Sequence, residues 1–237
     1  MQEHPVQTNE VQRSWVLLPL FLHALGSSEA HVVELGASAG LNLVWDRYRY
    51  RYGAGAWGRE DALLSLAGDE RRPVPGRLLA ATPRVRSRIG IDLAPVDVTG
   101  EEGARLLRSF VWADQEDRLA RLDRAIEAVR AEPPQIVRGD AAEALPGVLG
   151  RLPAGGLVLV FQTAVFNVLT AEARARVRAA LDSAGREVVF VSAGRPRGLR
   201  RVWGMRVYRG GERFFAGHAD YHGAWLDYEW SPARAGS

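Results

Sequence analysis

The sequence predicts a three-layer α/β fold built on a mostly parallel sheet, and three observations predict it. Short apolar runs of strand length alternate with amphipathic runs of helix length, the alternation that parallel strands need for their crossovers. The first such unit, HVVELGASAGLNLVWD at residues 31 to 46, passes from an apolar strand through a glycine-bracketed turn to a helix start. After residue 200 the pattern changes to period-two strands joined by tight turns, which gives the sheet antiparallel edge strands at its C-terminal end. The chain has 237 residues, 47% of them hydrophobic, and no break in composition, so it is read as one domain spanning 1–237.

Taken in order, residues 1–30 form an N-terminal helical segment. Val11, Trp15, Leu18, Leu22 and Leu25 recur at helical spacing, Gly26 offers a stop, and Thr8 or Asn9 a cap. The stretch from Trp15 to Leu25 is broken by Pro19 and His23 and is too short to span a bilayer, so no membrane partner is expected. QTNE, at 7–10, lies just upstream of the first strand and reads either as capping or as a ligand group. His31 to Leu35 is that strand, Gly36, Ser38 and Gly40 make the turn, and Asn42 to Asp46 opens a helix.

A β insertion then occupies 47–83. RYRYRY alternates strictly, with Tyr48, Tyr50 and Tyr52 on one face and Arg47, Arg49 and Arg51 on the other, as an edge strand in a hairpin turning at Gly53 to Gly55. Interleaved arginine and tyrosine can hold nucleic acid through phosphates and stacking. Packed tyrosines with solvated arginines are the preferred reading, so nucleic acid ranks below other partners. RIGIDL is the second core strand, ending at Asp92. Thr99 with Glu102 makes a capping box for a helix through Leu106 and Leu107, and a second helix runs from Asp114 with Leu119, Leu122, Ile126 and Val129 on one face.

Pro133 and Pro134 punctuate the chain before QIVRGD, the third strand, which ends at Asp140. LVLVFQ at 157–162 is the most apolar run and the central strand, followed by a helix from about Ala171. EVVFVSAG, at 187–194, is the fifth. A basic connection, RPRGLRR, leads to a β meander over 200–230 with its turn at Gly210 and Gly211. In it His218, Asp220 and His222 are spaced to share a strand face, a pattern more often turn chemistry than a metal set.

The composition restricts the chemistry. There is no cysteine, which removes disulfides, thiolate metal sites and cysteine nucleophiles and makes a cytoplasmic location the expectation. All 31 basic residues are arginine against 28 acidic ones, and a net charge of +3 is weak grounds for a nucleic-acid partner.

Three chemistries compete for the glycine turn. The dinucleotide fingerprint GxGxxG fails at its centre, where Ser38 stands. The letters also spell GxSxG, which makes Ser38 a candidate nucleophile with Asp140 and His218 following in hydrolase order. That elbow needs preceding strands and an oxyanion loop, and only about thirty residues come before it. The third reading fits best. An acid, then Gly, three small residues and Gly resembles the first motif of class I S-adenosylmethionine-dependent methyltransferases.

More narrowly, VELGASAGLNL, with QTNE and the later GIDLAPVDVT, is similar to an uncharacterised bacterial family that carries a domain-of-unknown-function label. The resemblance covers most of the chain. Members of that family carry a longer helical region ahead of the motif. The resemblance implies a Rossmann-like methyltransferase sheet, S-adenosylmethionine as cofactor, and a small-molecule or protein acceptor. It places Glu34, Gly36, Ser38, Gly40 and Asn42 around the methionine part and Asp92 on the ribose, with Asp97 as the rival. It also places Asp140 and the Ala141 backbone N–H at the adenine, with Gln162 and Asn167 as pocket polar groups past the fourth strand. FQTAVFN stands where amino-directed nucleic-acid methyltransferases carry a DPPY-like sequence, which lowers base methylation. A non-catalytic cofactor-binding module is the alternative of another class, and a Ser38 hydrolase stands third.

Overall fold

A computed structural model describes residues 9–196 and 201–233. Gln7 and Thr8 of the QTNE stretch and residues 197–200 of the basic connection lie outside the described residues.

Helix α1 (Arg13–Leu25) starts one residue after Gln12, with no side-chain cap, so the cap expected from Asn9 is not made. The spacing predicts one apolar stripe, whereas every residue of α1 except His23 is buried. Strands cover one side of the helix and the insertion covers the other. Trp15 stacks on Tyr52 at 5.3 Å between ring centres, and Phe21 meets Trp45 at 5.2 Å and Phe161 at 5.1 Å. Pro19 has no N–H to give the carbonyl of Trp15, and the Tyr52 hydroxyl donates to that carbonyl instead, at 2.5 Å.

Strand β1 (Glu29–Leu35) leads into the glycine turn. The helix expected from Asn42 to Asp46 is absent. Residues 41–44 make turns and Trp45–Arg47 a single 3₁₀ turn. The next strand begins two residues later, and its tyrosines fasten the segment as irregular chain. Tyr48 donates to the Leu41 carbonyl at 2.6 Å and Tyr50 to the Trp45 carbonyl at 2.7 Å.

The insertion holds β2 (Arg49–Tyr52), β3 (Gly55–Trp57) and β4 (Ser65–Ala67), a small sheet of order β3-β2-β4. β2 pairs antiparallel with β3 and parallel with β4, so it is the central strand and not the expected edge. Then β5 (Asp69–Arg72) leaves the insertion for the main sheet.

The main elements follow in alternation: β6 (Arg84–Asp92), α2 (Glu101–Ser109), α3 (Glu116–Ala131), β7 (Gln135–Arg138), α4 (Ala141–Arg151), β8 (Leu157–Thr163), α5 (Ala171–Asp182) and β9 (Val188–Gly194). The meander is β10 (Val202–Arg209), β11 (Glu212–Asp220) and β12 (Trp225–Pro232). The sheet of nine strands has the order β7-β6-β1-β8-β9-β10-β11-β12-β5. From β7 to β9 every pairing is parallel, β10 to β12 are antiparallel neighbours, and β5 closes the far edge parallel to β12.

The capping box at Thr99 does not form. Its N–H and hydroxyl both turn back to Asp97 Oδ1, at 2.9 and 2.6 Å, and Gly100 takes the N-cap of α2. Two apolar clusters flank the sheet. One joins α1, the insertion, α2 and α3 to one face, and the other packs α4 and α5 on the opposite face, completing three layers. Among the described residues no helix is long and apolar enough to cross a membrane.

Candidate ligand-binding site

The chain leaves β1 toward β6 on one side and returns through β8 on the other, so the order reverses between β1 and β8. At such a reversal the loops after adjacent strands part, and a crevice opens at the strands' carboxyl ends. Two tight turns form its walls.

The first is the glycine turn. Gly36 has φ +75° and its N–H donates to the Ile91 carbonyl at 2.8 Å; a Cβ there would lie 2.1 Å from Val165 Cγ2. Only glycine fits both the conformation and the contact. Gly40, at φ +76°, leaves no room against Pro134, whose Cγ a Cβ would meet at 2.7 Å. Between them Ser38 is held left-handed at φ +50°, and Asp92 is what holds it. Asp92 Oδ2 accepts from the Ser38 N–H at 2.7 Å and Oδ1 from the Ala94 N–H at 2.8 Å. The second turn follows β8, where Ala164 also takes a positive φ, +72°. Two strained residues facing one crevice mark it as a place where shape was kept at a cost.

The crevice measures about 300 Å³, and its polar walls include Glu10, Arg13, Glu34, Ser38, Asn42 and Thr163. Glu34 is buried, and its Oε2 has no hydrogen-bond partner among the described residues. Burial pushes its carboxyl well above the usual range, the nearby Asp92 charge adds to this, and Arg13 opposes it. Arg13 is buried too. Its Nε donates to the Tyr221 carbonyl at 3.3 Å and its Nη1 reaches Thr163 Oγ1 at 3.5 Å, while the guanidinium lies over the rings of Trp203 and Tyr221 at 4.6 and 4.8 Å. Arg13 Nη2 has no hydrogen-bond partner among the described residues, and burial lowers the guanidinium's basicity. One crevice thus holds a carboxyl oxygen and a guanidinium nitrogen that are each shut from water and each unmet.

Of the residues singled out from the sequence, Glu34, Gly36, Ser38 and Asn42 line this crevice. Gly40 and Asp92 support the turn from behind. Asp97 is committed to Thr99. Asp140 is the N-cap of α4, its Oδ1 accepting from Ala142 and Glu143 N–H groups at 2.8 and 3.2 Å, and Ala141 opens that helix. Gln162 is spent inside the protein. Its amide nitrogen donates to Ser192 Oγ and the Ala193 carbonyl, and its oxygen accepts from the Phe166 N–H. Asn167 accepts from the Arg195 N–H at 3.0 Å. Among the described residues no histidine lines the crevice with Ser38, and His218 stands opposite Asp227 in the β11–β12 pairing instead of at the crevice. Tyr48, Tyr50 and Tyr52 are buried with their hydroxyls turned inward to main-chain carbonyls, as packed tyrosines.

Asn9 and Glu10, the described part of QTNE, line the crevice, while Arg13 escapes the sequence reading. Two residues from both Val11 and Trp15, Arg13 falls opposite the predicted apolar stripe, so helical spacing gives no sign of its burial.

A family described as an uncharacterized protein conserved in bacteria (DUF2332) matches residues 1–228. No curated protein matches the chain. Among solved structures, the chain is similar to the CcbJ methyltransferase from Streptomyces caelestis, with 12% identity and a TM-score of 0.25 over 99% of this chain and 82% of that one.

Proposed function

The chain belongs to this uncharacterized bacterial family, DUF2332, and on that footing we propose that it binds S-adenosylmethionine in the β1/β8 crevice and transfers its methyl group to a small-molecule or protein acceptor. The observation that carries the reading is the unmet pair in the crevice. An α-amino acid group brings one ammonium and one carboxylate, the complements of Glu34 Oε2 and Arg13 Nη2.

The rest of the site fits the same ligand. Asp92 uses one lone pair of each oxygen on a main-chain N–H, and a carboxylate has further acceptor sites for two ribose hydroxyls. Ala37, Leu41, Val165 and Val168 supply apolar lining in the same crevice. When bound, the sulfonium supplies an activated methyl group, so the protein needs no metal for this chemistry. The residues of the chain contribute alignment. Gly36 and Ser38 let the ligand approach the main chain, and Arg13 and Glu34 fix its charged end.

Calorimetric titration with S-adenosylmethionine and its demethylated product tests this. The intact protein binds both, Arg13→Gln and Glu34→Gln each weaken binding at least tenfold, and the heat varies with the buffer because Glu34 loses its proton on meeting the ammonium. An intact, folded protein that binds neither compound refutes the proposal.

A further inference from the structure

A second cleft of about 470 Å³ adjoins the first and shares Glu10 with it. Its other walls come from the start of α3, with Gln115, Asp117, Arg118 and Arg121, and from the turn after β11, with Asp220 and His222. That turn serves both sides. Tyr221 lines the first cleft and His222 the second. The two clefts therefore meet at Glu10 and at the Tyr221–His222 step.

Most of the charge in this cleft is already spoken for. The Glu10 side chain is only 3% exposed, and its Oε2 takes Arg118 Nε at 2.9 Å while its Oε1 accepts from the Gln12 N–H at 3.2 Å. Asp220 Oδ2 accepts from the backbone N–H groups of His222 and Ala224, at 2.7 and 3.3 Å, and so shapes the turn. Gln12 donates its amide to the Ala67 and Gly223 carbonyls. Two groups are left with capacity. Arg121 Nε is buried with no hydrogen-bond partner among the described residues, one turn along α3 from Arg118. The His222 imidazole is half-exposed, with Nδ1 3.8 Å from Glu10 Oε2. Burial holds that ring below its ordinary pKa. Glu10 and Asp220 oppose this effect, and Arg118 and Arg13 add to it. Asp117 and Arg121 complete the charged lining. A neutral ring with a carboxylate on its Nδ1 side is set to accept a proton at Nε2.

We propose that the second cleft is the acceptor site, that it takes a small hydroxy or amino acid whose carboxylate meets Arg121, and that His222 receives the proton of the reacting hydroxyl or amine. The assignment rests on the methyl-transfer reading above. The balance is simple: the acceptor's lone pair forms the new bond to the methyl carbon as the carbon–sulfur bond breaks, the acceptor's proton passes to His222 Nε2, and the neutral thioether leaves. Glu10 acts as a positioning residue, holding Arg118 and facing the ring.

The test uses the full chain and a panel of hydroxy and amino carboxylic acids, with the matching carboxamides as controls. Without cofactor, binding is read from the His222 imidazole ¹⁵N shifts, assigned through His222→Gln. The acids perturb that ring and the carboxamides bind at least tenfold more weakly, a preference that Arg121→Gln removes. With S-adenosylmethionine, at least one acid is methylated, and His222→Gln lowers kcat about a hundredfold or more while calorimetry shows cofactor affinity unchanged. Acids that leave His222 unmoved, or turnover equal in His222→Gln, overturn the assignment. Failure of cofactor binding with acid binding intact overturns the methyl-transfer reading alone.

Discussion

At the scale of single residues, Glu34 decides how the empty molecule responds to pH. Its carboxyl titrates well above the usual range because it is buried beside Asp92. The folded chain therefore keeps a proton that the unfolded chain releases above about pH 4.3. Stability from this group is complete below that value and falls as pH rises through the native pKa. Glu34→Gln removes the penalty. Thermal unfolding of the variant is expected to match the parent at pH 4 and to exceed it by a few degrees at pH 8, while ligand affinity drops. A variant less stable at both values would show that the carboxyl is held by contacts and not strained by burial. The same residue shows what could be read in advance. Glu34 and Ser38 belong to a continuous stretch whose strand and turn are local, so their place was legible. Arg13 acquires its setting from Tyr221 and Thr163, 208 and 150 residues away in sequence, and no local pattern carries that information.

At the scale of elements, the helix absent from 42–46 teaches the same lesson. Leu41, Val44 and Trp45 have helical spacing, but their partners arrive from β2, and three tyrosine hydroxyls spend themselves on the backbone carbonyls of Leu41, Trp45 and Trp15. Tertiary contacts overrule a short, weak helical preference. Strands β8 and β9 were legible because a strand buried in a parallel sheet is apolar along most of its length, whereas only the last part of β6, from Ile89, carries that signal. The tie between α1 and β2 is measurable. Tyr52→Phe leaves the Trp15 carbonyl without that donor and is expected to cost about 1–2 kcal/mol in urea unfolding. In a Pro19→Ala background the helix regains an N–H for the same carbonyl, and the cost of Tyr52→Phe should shrink. Equal costs in both backgrounds would show that the two sites do not share that acceptor.

At the scale of the whole molecule, α1 is wedged between the insertion and the main sheet, and β5 carries the insertion to the sheet's far edge. The insertion should therefore have no stability of its own. Emission from a variant that keeps only Trp15, Trp45 and Trp57 of its seven tryptophans, the other four replaced by phenylalanine, reports that wedge, and it and far-ultraviolet dichroism, which reports the sheet, are expected to trace one coincident urea transition. An early fluorescence step would mean that the insertion opens alone. The far edge also has a history in time. Arg72 of β5 pairs with Asp227 of β12, 155 residues later. At the usual pace of synthesis, about 5–20 residues per second, the nascent chain carries β5 for roughly 8–30 s before its neighbour exists. For that interval four polar residues, DERR, are all that the growing chain shows there, a charged strip that resists sticking to its neighbours on a crowded ribosome.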